Sequence, residues 1–289
     1  AGRADDVVAP PYDVVDRAEA RALATDRPFS FLHVSRPEID LPDDEDAYDE
    51  RVYARGRENL DHMLAEGVLG RDETPCYYAY RLTMGQHVQT GLVATTSVEA
   101  YDNDRVKKHE FTRPVKEDDR VRQIDTLNAQ TGPVFLVYPA NQTVDRILRE
   151  ATVRPADVDV TAARDGVRHQ IWKIDAAATI KALTDAFDAM SAIYVADGHH
   201  RSAAGSRVGA ARRAANPGHD GSEGYNYFLS VIFPHDQMMI MDYNRVVKVP
   251  ADMDRATFLA FQNVVANPTC FNPQDVASAR LALAMRKVL

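Results

Sequence analysis

The sequence predicts an α+β fold rather than a doubly wound sheet. Strand-like and helix-like segments mix along the chain without a regular βα alternation. Two pairs of strand-like segments lie close enough to form hairpins. The 289 residues, 45% hydrophobic and 27% charged, support one large domain or two modest ones around a true core.

From the N-terminus, Ala9-Pro10-Pro11-Tyr12-Asp13-Val14-Val15 reads as a rigid extended segment, because each proline fixes its own φ and restricts its predecessor. Asp16 caps a short helix, with Glu19 completing a capping box. Phe29–Val34 is a predicted strand running into Arg36-Pro37-Glu38 and the acidic loop Leu41–Asp46. Residues 47–66 are helical, with Tyr53, Leu60, Met63 and Leu64 on one face and Gly67 at the C-cap. Strands over Cys76–Leu82 and Val88–Val98 form a hairpin around Met84-Gly85-Gln86. Residues 105–120 are the most charged part, and a helix follows with Val121, Ile124 and Leu127 spaced by three. Gly132–Tyr138 and His169–Ile174 are strands. Asp175 caps a helix that turns Ile180, Leu183, Phe187 and Met190 inward.

Ala192–Ala196 is a buried strand, followed by an Asp-Gly turn and a helix to residue 215 in which Gly205 and Gly209 permit close packing. Asn216–Gly224 is a polar loop, expected to be mobile. Tyr225–Phe233 and Met238–Val249 form a second hairpin across Pro234–Gln237, with Met238-Met239-Ile240-Met241 as strand core. Helix, loop and helix follow Pro250. There is no internal repeat. The expected division is residues 1–100, 101–250 and 251–289.

Composition excludes several classes. A net charge of −9 argues against nucleic-acid binding through the whole surface. Cys76 and Cys270 form no CxxC pair and read as free thiols of a reducing cytosol, hence a cytoplasmic protein. No apolar run reaches the ~18–20 residues that span a bilayer. Ala1–Val8 lacks a signal-peptide pattern. GxxxxGK[ST], HRD and DFG signatures, Rossmann spacing, a GxSxG elbow and HExxH are all missing.

Chemistry concentrates in Asp197-Gly198-His199-His200-Arg201. A helix N-terminus carries unpaired amides and partial positive charge, and Arg201 adds a fork suited to phosphate. The plainer alternative is a polar surface corner; two histidines and an arginine after the glycine favour an anion site. Lys107–Arg120 supplies the cations Lys107, Lys108, Lys116 and Arg120, with His109, Glu110 and Thr112 among them. Alone it reads as a solvated loop and a salt-bridged helix start. Paired with a second anion-binding element it makes a clamp for a polyphosphate, which is what phosphoryl transfer requires. Mg²⁺ held mostly by substrate phosphates needs only one or two carboxylates, for which Asp197, Glu110 and Glu38 are the candidates.

Six segments occur in order: Ala9–Val15, Arg36–Glu38, Lys108–Glu110 with Thr112, Lys116–Arg120, Gly132–Leu136 and Ala196–Arg201. Together, over about residues 7–250, they resemble the bacterial and archaeal family called domain of unknown function 1015. That resemblance implies a ParB/sulfiredoxin-like mixed sheet with flanking helices and added hairpins, and a kinship with free serine kinases. It implies that Asp197–Arg201 is a phosphate-binding turn within the 101–250 part, and that an early glutamate takes the hydroxyl proton of serine. Glu38 is the candidate for that base and Glu110 its rival. From about Asn263 the chain departs from the pattern, so 251–289 reads as a helical tail that the family continues.

The expected function is therefore a small-molecule kinase. With Mg²⁺, ATP or ADP serves as phosphoryl donor and a free hydroxyl amino acid, L-serine first, as acceptor, giving O-phosphoserine. Nucleotide would lie between Lys108–Arg120 and Asp197–Arg201. Gly198, His199, His200 and Arg201 would hold phosphates, lined by His109 and Thr112. Lys108, Lys116 and Arg120 would neutralise charge, Glu38 or Glu110 would act as base, and Asp197 would hold metal or a histidine. The alternative is a ParB-like nucleotide-binding regulator without kinase activity; the missing helix-turn-helix speaks against it, and a free basic face formed by Arg207, Arg212 and Arg213 would speak for it. A ParB-like nuclease would need clustered carboxylates, which the sequence does not assemble. Neither a membrane nor nucleic acid is an expected partner, and oligomeric state stays open.

Overall fold

The computed structural model describes residues 4–240, 253–254 and 256–257. The chain clusters into two compact units, Ala1–Met238 and Met239–Leu289. The elements below belong to the first.

Four helices open the chain: α1 (Ala4–Val7), α2 (Arg17–Ala24), α3 (Leu32–Ser35) and α4 (Glu50–Ala65), with a 3₁₀ turn over Pro37–Asp40. The expected capping box is present. Asp16 accepts from the Glu19 amide at 2.8 Å, and Glu19 accepts from the Asp16 amide at 2.9 Å. Phe29–Val34 is not a strand. It turns helically, and this sends Leu32 into a cluster with Val15, Ala20, Ala24 and Ile39 while Val34 packs with Leu60, Met63 and Leu127. A short apolar run carries no period that separates strand from helix. On α4 the buried positions are Val52, Tyr53, Gly56, Leu60 and Met63; Leu64, expected inside, is 47% exposed. Gly67, at φ 65, ends this helix as expected.

Eight strands follow: β1 (Tyr77–Met84), β2 (His87–Ser97), β3 (Val106–Lys107), β4 (Val134–Tyr138), β5 (Val158–Thr161), β6 (Arg168–Ile174), β7 (Ile193–Asp197) and β8 (Tyr227–Pro234). They form one sheet in the order β3-β7-β4-β8-β2-β1-β6-β5. The sheet is mixed: β3 runs parallel to β7 and β4 parallel to β8, while the other pairs are antiparallel. This is an α+β architecture. Residues before and after position 100 share the sheet. The β1–β2 hairpin closes at Met84↔His87, with Gly85 at φ 59 taking the conformation its two-residue loop needs.

Between and after the strands come α5 (Val98–Asp102), α6 (Pro114–Leu127), α7 (Gln142–Ala151), α8 (Ala177–Asp188) and α9 (His199–Ala215). The main core joins Leu92, Leu136, Trp172, Val195, Phe228 and Ile232 of the strands to Val98, Ile147 and Leu183 of the helices. Helix α6 starts at Pro114, earlier than the apolar spacing indicated, because proline suits the first helical position. Asp175 does not cap α8; Ala176 holds that place without a side-chain bond. Neither α7 nor β5 was expected. Asn141 fixes the start of α7 by accepting from the Thr143 and Val144 amides.

Gly205 and Gly209 do permit close approach. A Cβ on Gly209 would stand 2.7 Å from the Tyr225 carbonyl oxygen, and one on Gly205 3.1 Å from Phe228 Cβ. In the polar loop, Glu223 accepts from the Asp220 and Gly221 amides and from Asn216 and Asn226. The expected second hairpin is not seen among the described residues. After β8 the chain turns at His235–Gln237, and Met239 and Ile240 are exposed rather than strand core. Residues 241–249 of that hairpin, Cys270 and all of the expected tail but residues 253–254 and 256–257 lie outside the described residues.

Candidate functional site

Strand β7 delivers Asp197 to a turn that only glycine makes easily: Gly198 has φ 97 and stands as N-cap of α9. Gly198 has no side chain to cap α9, and of the first-turn amides that of Arg201 bonds the Gly198 carbonyl at 2.9 Å. Arg201, in the first turn, reaches back. It donates to Asp197 Oδ2 at 2.7 Å and to the Pro133 carbonyl, and it lies 3.8 Å from Asp13 Oδ2. With 16% of its side chain exposed, Arg201 braces the turn rather than standing free for a ligand.

Pairing of β3 with β7 brings the following residues beside the start of α9. The His109 amide donates to His199 Nε2 at 3.4 Å, and the Arg113 amide to His200 Nε2 at 3.0 Å. Arg113 is the N-cap of α6. Two helix N-termini are thus one hydrogen bond apart. An imidazole nitrogen that accepts an N–H is unprotonated, so in this arrangement both rings are neutral with the proton on Nδ1. Burial pushes both pKa values down; nearby His109 adds to this at His199, and Arg113 and Lys116 add to it at His200. The His109 and His199 rings meet edge to face at 4.5 Å, and His199 Nδ1 lies 3.6 Å from Glu110 Oε2.

Thr112 donates to Glu117 at 2.6 Å, and Arg207 holds the other carboxylate oxygen at 2.8 Å. Burial raises the Glu117 pKa, but these two donors outweigh it and hold the group below the usual range. Lys116 is exposed and makes no ion pair among the described residues. Lys108 turns away: its Nζ donates to the Tyr101 carbonyl at 2.8 Å and lies 4.1 Å over the Tyr101 ring. Arg120 pairs with Asp119 at 2.6 Å and lies 4.1 Å over the Tyr12 ring. Glu38 is buried and paired with Arg36 at 2.7 Å, and Arg36 donates to the Tyr12 carbonyl at 3.0 Å.

The structure therefore gathers His109, Glu110, Asp197, Gly198, His199, His200 and Arg201 at one junction, with Thr112 and Lys116 on the segment that enters α6. Glu38 stands apart from it, linked through Arg36 to the Tyr12 carbonyl, and Arg120 sits one turn beyond Lys116 on α6, over the Tyr12 ring. Lys108 belongs elsewhere. Sequence reasoning missed Arg113, Arg36, Tyr12 and Asp13 as members of this region; the Ala9–Val15 and Arg36–Glu38 segments were the available signal.

Among the described residues no group of three or more His, Cys, Asp or Glu side chains converges as a metal site. Arg207, Arg212 and Arg213 do not make a free basic face: Arg207 pairs with Glu117 and Asp118, Arg212 with Asp125, and Arg213 bonds Asn226. No described helix is long and apolar enough to cross a membrane. The model of the family described as "Protein of unknown function (DUF1015)" matches residues 1–280. Comparisons with curated proteins and with solved structures returned no match.

Proposed function

This chain belongs to the DUF1015 family, and on that premise we propose that it is a phosphotransferase that moves the terminal phosphoryl group of ATP or ADP to the hydroxyl of a free amino acid, L-serine first. The observation that carries this reading is the meeting of the α6 and α9 N-termini at the Arg113–His200 bond. Two helix starts present backbone donors and partial positive charge to one anion. Lys116 and Arg113 add cations there, and Arg201 keeps the turn in shape.

Phosphoryl transfer asks the protein for positioning and charge more than for covalent chemistry. A new bond forms between the acceptor oxygen and the terminal phosphorus. The bond from that phosphorus to the leaving nucleotide oxygen breaks, and the hydroxyl proton passes to a carboxylate. Glu38 beside Arg36 and Glu110 beside His199 are the two candidates for that role. Asp197, whose Oδ2 accepts from Arg201, would be the carboxylate to help hold a phosphate-borne magnesium ion, which would supply neutralisation of phosphate charge. A ParB/sulfiredoxin-like kinship belongs to the same reading.

The test is ³¹P NMR of the protein with Mg²⁺, ATP or ADP, and hydroxyl metabolites led by L-serine. A new phosphomonoester signal that K116A weakens is expected, and E110Q against E38Q separates the two bases. No new signal and no nucleotide-dependent change would overturn the reading.

A further inference from the structure

The turn at Pro11–Val14 borders the phosphate junction through Arg201 and is held from four directions. Its two ends are anchored in apolar packing: Val15 belongs to the cluster of Ala20, Ala24, Leu32 and Ile39, and Ala9 packs against that cluster. Between those anchors the chain reverses, with the Val14 amide donating to the Pro11 carbonyl at 3.2 Å. Arg36 donates to the Tyr12 carbonyl at 3.0 Å. The Arg120 guanidinium lies 4.1 Å over the Tyr12 ring. Arg201 lies 3.8 Å from Asp13 Oδ2, and Arg164 donates to the Val14 carbonyl at 3.4 Å.

Three of these arginines also hold a carboxylate of the site region. Arg36 pairs with Glu38 at 2.7 Å, Arg120 with Asp119 at 2.6 Å, and Arg201 with Asp197 at 2.7 Å. A guanidinium is planar, and each partner added from another direction restricts its plane further. The Tyr12 carbonyl is such a partner for Arg36, the Tyr12 ring for Arg120 beside Asp119 and Gln123, and the Asp13 carboxylate for Arg201 beside Asp197 and the Pro133 carbonyl.

We propose that Tyr12 and Asp13 are positioning residues that set the spacing between the Glu38–Arg36 pair and the Asp197–Arg201 turn. What they position is the acceptor side and the phosphate side of the phosphotransferase site, so this inference rests on that reading. The turn's stability comes from Ala9 and Val15, whereas Val14 is 52% exposed. Asp13 is exposed and Tyr12 half-buried, so D13N and Y12F alter the middle of the turn without unfolding the chain.

The experiment compares wild type with Y12F, Y12L and D13N. The arginine Nε–Hε resonances, the affinity for Mg·ADP and the thermal midpoint are measured for each. Y12F keeps the ring and the backbone carbonyl and is expected to match wild type throughout. Y12L is expected to shift the Arg120 and Arg201 resonances together, to weaken Mg·ADP binding about tenfold, and to leave the thermal midpoint unchanged. D13N is expected to shift the same two resonances.

The proposal is overturned if Y12L moves Arg120 alone, if Y12L loses affinity only together with its thermal midpoint, or if Y12F loses affinity as Y12L does. A wild type that binds no Mg·ADP would instead overturn the nucleotide reading. The coupled arginine shift would then decide the positioning role by itself.

Discussion

At the β5–β6 end of the sheet, charged groups close on one another. Arg154 holds Asp157 through two bonds of 2.6 Å, Arg168 pairs with Asp159 at 2.5 Å, and Lys173 pairs with Asp72 at 2.7 Å. Tyr78 donates to Asp72 as well. Asp72, Tyr78, Arg154, Asp157 and Lys173 help line a cleft of ≈ 520 Å³. At the β7 end, the amides of His109 and Arg113 rest on two neutral imidazoles, α9 has no side-chain cap, and Lys116 has no ion-pair partner among the described residues. The contrast teaches that charge density and cleft volume are distinct from charge left open for a ligand. Carboxylates and guanidiniums already matched to each other have little left to offer an anion. Backbone donors held by replaceable acceptors do.

The largest expected effect is at Gly198. A side chain at φ 97 is strained, and its Cβ would sit 3.3 Å from Val134 Cα. Gly198→Val should cost roughly 1–3 kcal/mol in chemical denaturation and abolish nucleotide binding. Gly85→Ala also has a positive φ but meets open space. It should cost less and leave binding intact, and equal losses at both positions would erase the contrast. Next is Lys116→Ala, expected to weaken Mg·ADP binding about tenfold while stability stays within about 0.5 kcal/mol. Calorimetric titration and thermal melts check the two parts.

The two ends should also lose stability in different pH windows. His199 and His200 have folded pKa values below the usual histidine value, because burial disfavours their charge. Their contribution is complete above about 6.5 and is lost as pH falls through the lower folded values. Asp157 is held at about 2, first by Arg154 and against the effect of its own partial burial. Its contribution is complete above about 3.9 and disappears as pH falls toward 2. Melts from neutral to acid pH should show the histidine loss first, and His200→Gln should reduce it.

The smallest effect is Arg154→Ala. This pair is about half exposed, so solvent screening limits its loss to under about 1 kcal/mol. Nucleotide affinity should not change. A drop in affinity there would move the site to the wrong end of the sheet.

How much of this was legible depended on sequence separation. The Asp16–Glu19 box, Gly67, Gly85 and the Asp197–Arg201 turn announce themselves within a few residues, because caps and turns are local chemistry. The α6–α9 junction is not local: Arg113 and His200 stand 87 positions apart. Which way Lys108 turns depends on Tyr101 across the β3 edge, and nothing in the charged run distinguishes it from Lys116. The Phe29–Val34 error arose because six apolar-rich residues satisfy a strand and a helical turn equally well, and only the two clusters that receive Leu32 and Val34 decide. Tyr12 and Asp13 were visible as a motif, but their arginine partners come from three distant segments.

The most direct test of the central claim is a backbone amide NMR titration with Mg·ADP, comparing the two ends of the sheet in one sample. Shifts concentrated at 109–116 and 197–201, with 154–173 unmoved, are the expected result. Shifts confined to the Asp72–Lys173 cleft, or none anywhere, would contradict it.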